Sequence, residues 1–148
     1  QLDDATSITD LLRSLGWFAH METEPPETSR ERVAKHLALC LADASHSVYV
    51  AVDADGTVIG YCAIHWLPYL FMTGPEGYVS ELFVREAGRG RGVGTRLLET
   101  VIEEARGRGC RRLQLVNMKH RESYQRGFYP KHGWVERPAA GNFVYLLD

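Results

Sequence analysis

The run Leu82-Phe-Val-Arg-Glu-Ala-Gly-Arg-Gly-Arg-Gly-Val-Gly-Thr-Arg-Leu-Leu98 constrains this chain more than any other segment. A hydrophobic strand leads through four alternating glycines, with arginines between them, into an amphipathic helix from Gly92 to about Arg106. Leu97, Leu98, Val101, Ile102 and Ala105 form the stripe of that helix. The glycines permit unusual φ values and close backbone approach. Backbone N–H groups at the helix start, with the positive end of its dipole, make an anion site. Arg89, Arg91 and Arg96 add charge suited to phosphates. The segment reads as a diphosphate cradle, against the plainer reading of a glycine-rich turn with solvated arginines.

Two common phosphate motifs are excluded. Walker A needs GxxxxGK[ST], and no Lys follows these glycines. The dinucleotide fingerprint GxGxxG/A, started at Gly88, Gly90 or Gly92, ends on Val93, Thr95 or Leu97 and fails each time.

Around this segment the pattern predicts helices at Ala5–Leu15 and from Thr28 or Ser29 to about Ala42, separated by a loop containing Pro25 and Pro26. Strands follow at Ser47–Val52 and Val58–His65, joined by the turn Asp53-Ala-Asp-Gly56. A third strand, Tyr78–Val84, comes before the glycines. Beyond the long helix lie a short strand at Arg112–Val116, a helix at Ser123–His132 and terminal strand structure at Val135–Leu147. Helices, a β-meander and then β–α–β–α–β describe one α+β domain over residues 1–148. The chain begins at Gln1 rather than Met, which leaves room for a first strand upstream.

The glycine segment resembles the acetyl-CoA-binding motif of the GNAT superfamily of N-acetyltransferases, [RQ]xxGx[GA], here Arg89-Gly-Arg-Gly92-Val-Gly94. The resemblance implies a GNAT-like fold with a central mixed, mostly antiparallel, splayed sheet flanked by helices. It implies that backbone amides of Arg89, Gly90, Arg91, Gly92, Val93, Gly94, Thr95 and Arg96 hold the pyrophosphate. It further implies that the strand end Leu82, Phe83 and Val84 pairs with the pantetheine arm of acetyl-CoA. Downstream, Asn117 follows a strand, and Tyr129 to Trp134 repeats the family's later YxxxGW spacing. The Asn117–Tyr129 interval is longer than the commonest family version, and Pro130 stands where a helix former is usual.

These matches imply an acetyl-CoA-dependent N-acetyltransferase in which an amine attacks the thioester directly, in a ternary complex. Tyr129 is the candidate general acid for the departing thiolate, and Asn117 a candidate contact of the pantetheine; a core tyrosine and a strand-end cap are the plainer readings. A lysine-like amine arrives mostly protonated at neutral pH, so a base is needed. Glu81 is the first candidate, on the face of its strand shared with Val79 and Phe83. His65 is the second. The acceptor wall is expected from residues 16–27 and 65–76. There Glu22, Glu24 and Glu27 would attract a cationic amine, and Trp17, Trp66 and Tyr69 would stack on it. The expected acceptor is a small cationic or aromatic-flanked amine. A protein lysine or N-terminus, and a non-catalytic acyl-CoA sensor, are the alternatives.

Composition narrows the remaining classes. A net charge of −2 gives no global pull towards nucleic acid. Cys40, Cys62 and Cys110 are odd in number and far apart, which argues against a disulfide framework or zinc site and for a reducing, cytoplasmic setting. No metal is expected. No apolar run approaches the roughly 20 residues of a membrane span. A homodimer is left open, the aromatic-rich loop expected at Trp66–Gly77 being an alternative packing patch.

Overall fold

A computed structural model describes residues 1–147. They group into two units, residues 1–116 and residues 117–147, each taken by itself below.

In the first unit, helices α1 (Ala5–Ser14), α2 (Ala19–Thr23) and α3 (Pro26–Cys40) precede strands β1 (His46–Val52), β2 (Val58–Leu67) and β3 (Glu76–Val84). A 3₁₀ turn at Glu86–Gly88, helix α4 (Val93–Gly107) and strand β4 (Arg112–Leu115) complete it. The region between α1 and α3, expected as loop, holds the short helix α2, and α3 begins at Pro26 rather than Thr28 or Ser29. Proline suits that first helical position, because its fixed φ matches the helix and its missing N–H would have no partner there.

The sheet has the order β1-β2-β3-β4, antiparallel across its first two pairs and parallel between β3 and β4. A parallel pair needs a crossover, which α4 supplies. One face carries α1 and α3, where Ala5, Ile8, Leu11 and Leu37 pack with Val58, Tyr61 and Ala63. The other face carries α4. A Cβ on Gly60 would come within 3.0 Å of Val93 Cγ1 and 3.3 Å of Leu97 Cδ1, so the helix start lies directly on the bare backbone of β2.

Two irregularities shape β3. Ala63 pairs with Glu81 and Ile64 with Val79, so Ser80 is an extra, bulged residue. Ala63 and Ile64 are adjacent and face opposite ways, and their partners must do the same. Glu81 therefore shares the α1/α3 face with Phe83, but not with Val79 as plain alternation predicted; Val79 lies on the α4 face. The second irregularity is the splay. β4 pairs with β3 only from Glu76↔Arg112 to Val79↔Leu115, while β3 continues to Val84. Past Val79, that edge of β3 has no partner strand among the described residues.

In the second unit, α5 (Glu122–Gln125) and α6 (Phe128–Lys131) replace the single helix expected at Ser123–His132. Gly127 breaks it with φ +65°, a left-handed conformation that no continuous helix contains. The strand expected at Val135–Leu147 is absent. No other strand lies within this unit to complete a ladder, and Pro138 removes a donor.

Candidate active site

Val84 delivers the chain into the glycine-rich turn. Gly90 and Gly92 have φ of +72° and +74°, and a Cβ on Gly90 would meet nothing within 4 Å. Left-handed backbone, rather than lack of space, is what requires glycine there. Gly92 is the N-cap of α4 and makes no side-chain cap bond, so an external acceptor could meet the first-turn N–H groups. Diphosphate oxygens fit this uncapped start, and the open edge of β3 beside it suits an extended amide-bearing arm. The three arginines differ in employment. Arg91 donates to both carboxylate oxygens of Asp53, at 3.0 and 3.1 Å, and so is tied to the β1–β2 turn. Arg89 places its guanidinium 5.9 Å from the Trp17 ring centroid. Arg96 is exposed on the first turn of α4.

On the α1/α3 face, the bulge sets Ser80 and Glu81 side by side. The buried Tyr61 donates its phenol hydrogen to Glu81 Oε2 at 2.8 Å. Burial, then the Glu81 charge, pushes the Tyr61 phenol far above its ordinary value, so it keeps its proton. Phe83 stands beside them, with the rings of Trp17, Phe18 and Tyr61 each 5.8 Å from it in edge-on contact. Cys40, at the end of α3, belongs to the same face; burial, then the Glu81 charge, raises its thiol. The result is an exposed carboxylate next to a partly open aromatic cluster, an arrangement that attracts a cation and can take a proton from it.

His65 lies on this face too. Its Nε2 is 3.0 Å from Ser80 Oγ, and its ring is 4.4 Å from that of His46. Burial, then the neighbouring His46, lowers its value, which favours the neutral, proton-accepting form.

Other expected members are placed elsewhere. β2 runs through Trp66, which is 6% exposed on the α4 face, donates to Ser47 Oγ at 3.1 Å and is covered by Arg108. It has no open face for a substrate. Tyr69 stacks near Phe71 in the β2–β3 loop, at the opposite end of β3 from the glycine turn. Glu24 is paired with Arg32, whose Nη1 lies 2.7 Å from Oε2, and accepts from Ser29 at 2.5 Å. Those bonds hold its carboxyl at about 2, and its charge is spent within the α2–α3 corner.

The side chain of Phe83 belongs to the aromatic cluster, while Leu82 and Val84 face the α4 side, paired with Cys62 and Gly60. The sequence pattern marks neither Tyr61 nor Ser80, and Phe18 only as part of the 16–27 wall. Alternation could have put Tyr61 on the face of Ala63, but no local signal marked the bulge that turns Val79 away from Glu81.

In the second unit, Ser123 donates to Asn117 Oδ1 at 3.1 Å, which closes the chain around the start of α5. The Tyr129 ring packs edge-on against Phe128 at 5.0 Å and Trp134 at 5.9 Å, and its carbonyl accepts the N–H groups of His132 and Trp134. The YxxxGW spacing thus folds into one turn around Gly133, at φ +82°. Among the described residues, no group of three or more His, Cys, Asp or Glu could hold a metal, and no helix is long and apolar enough to cross a membrane.

Known proteins resemble this chain across both units. The model of the Acetyltransferase (GNAT) family matches residues 10–134. Glucosamine 6-phosphate N-acetyltransferase 1 of Oryza sativa subsp. japonica is 32% identical over 133 residues, covering 88% of this chain and 78% of the relative. An aminoglycoside N(6')-acetyltransferase type 1 of Stenotrophomonas maltophilia is 34% identical over 83 residues, 53% of this chain and 54% of its own. A solved structure, a putative acetyltransferase from Agrobacterium tumefaciens C58, shares the fold with a TM-score of 0.80, at 23% identity over 98% of this chain and 96% of its own. With a family model spanning both units and a relative matched over most of both lengths, the chain belongs to the GNAT acetyltransferase family and is an acyltransferase.

Proposed function

We propose that this acyltransferase moves the acetyl group of acetyl-CoA to the primary amine of a small molecule, with Glu81 as the base. The observation that carries the reading is the place of Glu81 on β3. Its carboxylate lies on the face of Phe83, the ring that Trp17 and Phe18 meet, on the strand whose other edge is open. Acetyl-CoA supplies the activated thioester. Backbone groups from Arg89 to Arg96 bind its diphosphate, and the edge of Leu82–Val84 aligns its arm. Glu81 takes one proton from the bound ammonium, which frees the nitrogen lone pair for attack. Tyr129 is proposed, from its motif, as the donor of a proton to the departing sulfur as the C–S bond breaks; the newly bonded nitrogen then releases its second proton, which restores Tyr129, and Asn117 helps to orient the arm. His65, neutral beside Ser80, is the alternative base.

Aromatic rings and a carboxylate favour a cationic acceptor. Two of the relatives are named for amino sugars, which supports a small amine over a protein lysine. The test is calorimetric titration with acetyl-CoA, CoA, ATP and NAD. Release of free thiol is then followed with glucosamine 6-phosphate, an aminoglycoside, an aryl-alkylamine and a lysine peptide. Selective CoA binding, and turnover of a small amine above the peptide, are expected. A preference for the peptide would overturn the acceptor reading. Glu81→Gln should lower kcat about 100-fold, the scale of general-base catalysis; retained kcat would transfer the role to His65.

A further inference from the structure

The base reading leaves the hydroxyl of a buried tyrosine to be explained. Tyr61 is 2% exposed in the middle of β2, yet its hydroxyl bonds an exposed carboxylate on the neighbouring strand rather than a core carbonyl. A free glutamate side chain has rotamer freedom to lose on being ordered. Tyr61 has little freedom of its own, because Phe83 packs against its ring and the α1/α3 core surrounds it. It donates to Oε2, which leaves Oε1 as the oxygen to receive a proton.

We infer that Tyr61 is a positioning residue for acetyl transfer, holding Glu81 at the bulge with Oε1 directed to the incoming amine. The inference rests on Glu81 acting as the base. In the step it serves, an N–H bond of the ammonium breaks and an O–H bond forms at Oε1. The nitrogen keeps the electron pair that attacks the thioester. Tyr61 keeps its own proton throughout, and exposed Glu81 returns the acquired proton to water.

The experiment is a double-mutant cycle of Tyr61→Phe and Glu81→Gln, using whichever of the four amines above is turned over fastest, with acetyl-CoA affinity and melting temperature measured alongside. Phe keeps the buried ring. Tyr61→Phe should lower kcat about tenfold or more, because an unanchored base spends less time in position. The acceptor KM should stay within about twofold and acetyl-CoA affinity should be unchanged. In the Glu81→Gln background, Tyr61→Phe should cost nothing further.

Glu81→Asp breaks the same contact without touching the buried ring, and Tyr61→Phe should add little to it. An equal Tyr61→Phe loss in the wild-type and Glu81→Gln backgrounds would overturn the positioning role, as would an effect confined to KM. Wild-type kcat in Glu81→Gln would remove the base reading itself, a different result from either.

Discussion

Arg91 grips Asp53 through two hydrogen bonds of 3.0 and 3.1 Å, joining the glycine-rich turn to the β1–β2 turn thirty-eight positions earlier. The pair accounts for an arginine that the sequence offers as a phosphate ligand. A guanidinium already forked onto a carboxylate is committed to shaping the turn. In the proposed site its role would be to fix the backbone from Gly90 to Val93.

Arg91→Ala should therefore act indirectly. The pair is half exposed and screened by solvent, so stability should change little. Acetyl-CoA affinity should weaken a few-fold, and the same loss should appear in Asp53→Ala, which removes no positive charge. Calorimetric titration of both variants checks this. A large loss in Arg91→Ala beside an unchanged Asp53→Ala would mean that Arg91 serves the phosphates itself.

The glycine turn, the α4 stripe and the β-meander were legible because each is written locally: positive-φ glycines, a 3.6-residue period and strand alternation. Glu81 is legible as a candidate by its strand, and alternation places it rightly with Phe83; only Val79 falls on the other face. The Ser80 bulge arises from pairing with β2, which no local pattern records. The sequence pattern ends β2 at His65 and leaves Trp66 in a loop, whereas the strand continues to Leu67 and buries the indole against Ser47 and Arg108. Glu24 looked like a substrate lure because its partner Arg32 is brought to it only by the α2–α3 corner.

Gly60 tests how closely α4 must lie on the sheet. A methyl group there would meet Val93 Cγ1 at 3.0 Å and the Phe83 carbonyl oxygen at 3.1 Å. The backbone oxygen cannot retreat without moving β3, so the helix start must shift instead. Gly60→Ala should cost about 1–3 kcal/mol, the range for overpacking. It should also weaken acetyl-CoA binding, since Val93 is the first residue of α4. Denaturant unfolding and calorimetry on one sample measure both. Loss of stability with intact binding would show that the cradle tolerates a displaced helix.

Acid should destabilise the α2–α3 corner through Glu24. Its bonds to Arg32 and Ser29 hold the folded carboxyl at about 2, below the ordinary 4.5. The folded chain thus binds fewer protons than the unfolded chain between those values. The stabilisation is complete above about pH 4.5 and disappears as pH falls through about 2. Melting temperature should drop across that window, and Glu24→Gln, which cannot titrate, should show a shallower drop from a lower plateau. Equal slopes for the two proteins would mean that Asp53, held at about 2 chiefly by Arg91, dominates the acid response.

The opposite end of β3 depends on a buried charge. Glu76 is 0% exposed; its Oε2 accepts from Arg112 Nε, while Oε1 has no hydrogen-bond partner among the described residues. Removing one partner of a buried pair leaves an uncompensated charge, typically at a cost of 3–5 kcal/mol. Arg112 is itself 42% exposed, so Arg112→Ala should fall near the lower end, about 3 kcal/mol. Replacing both residues by Leu should recover most of that loss, because an apolar pair carries no desolvation cost. The two also form the first of only four β3–β4 pairings, so loosening them should widen the opening that begins past Val79. Arg112→Ala should then lose acetyl-CoA affinity along with stability, and the double Leu variant should regain both. Denaturant midpoints and titrations of the two variants decide it: recovery of stability without binding would separate this end of the sheet from the site.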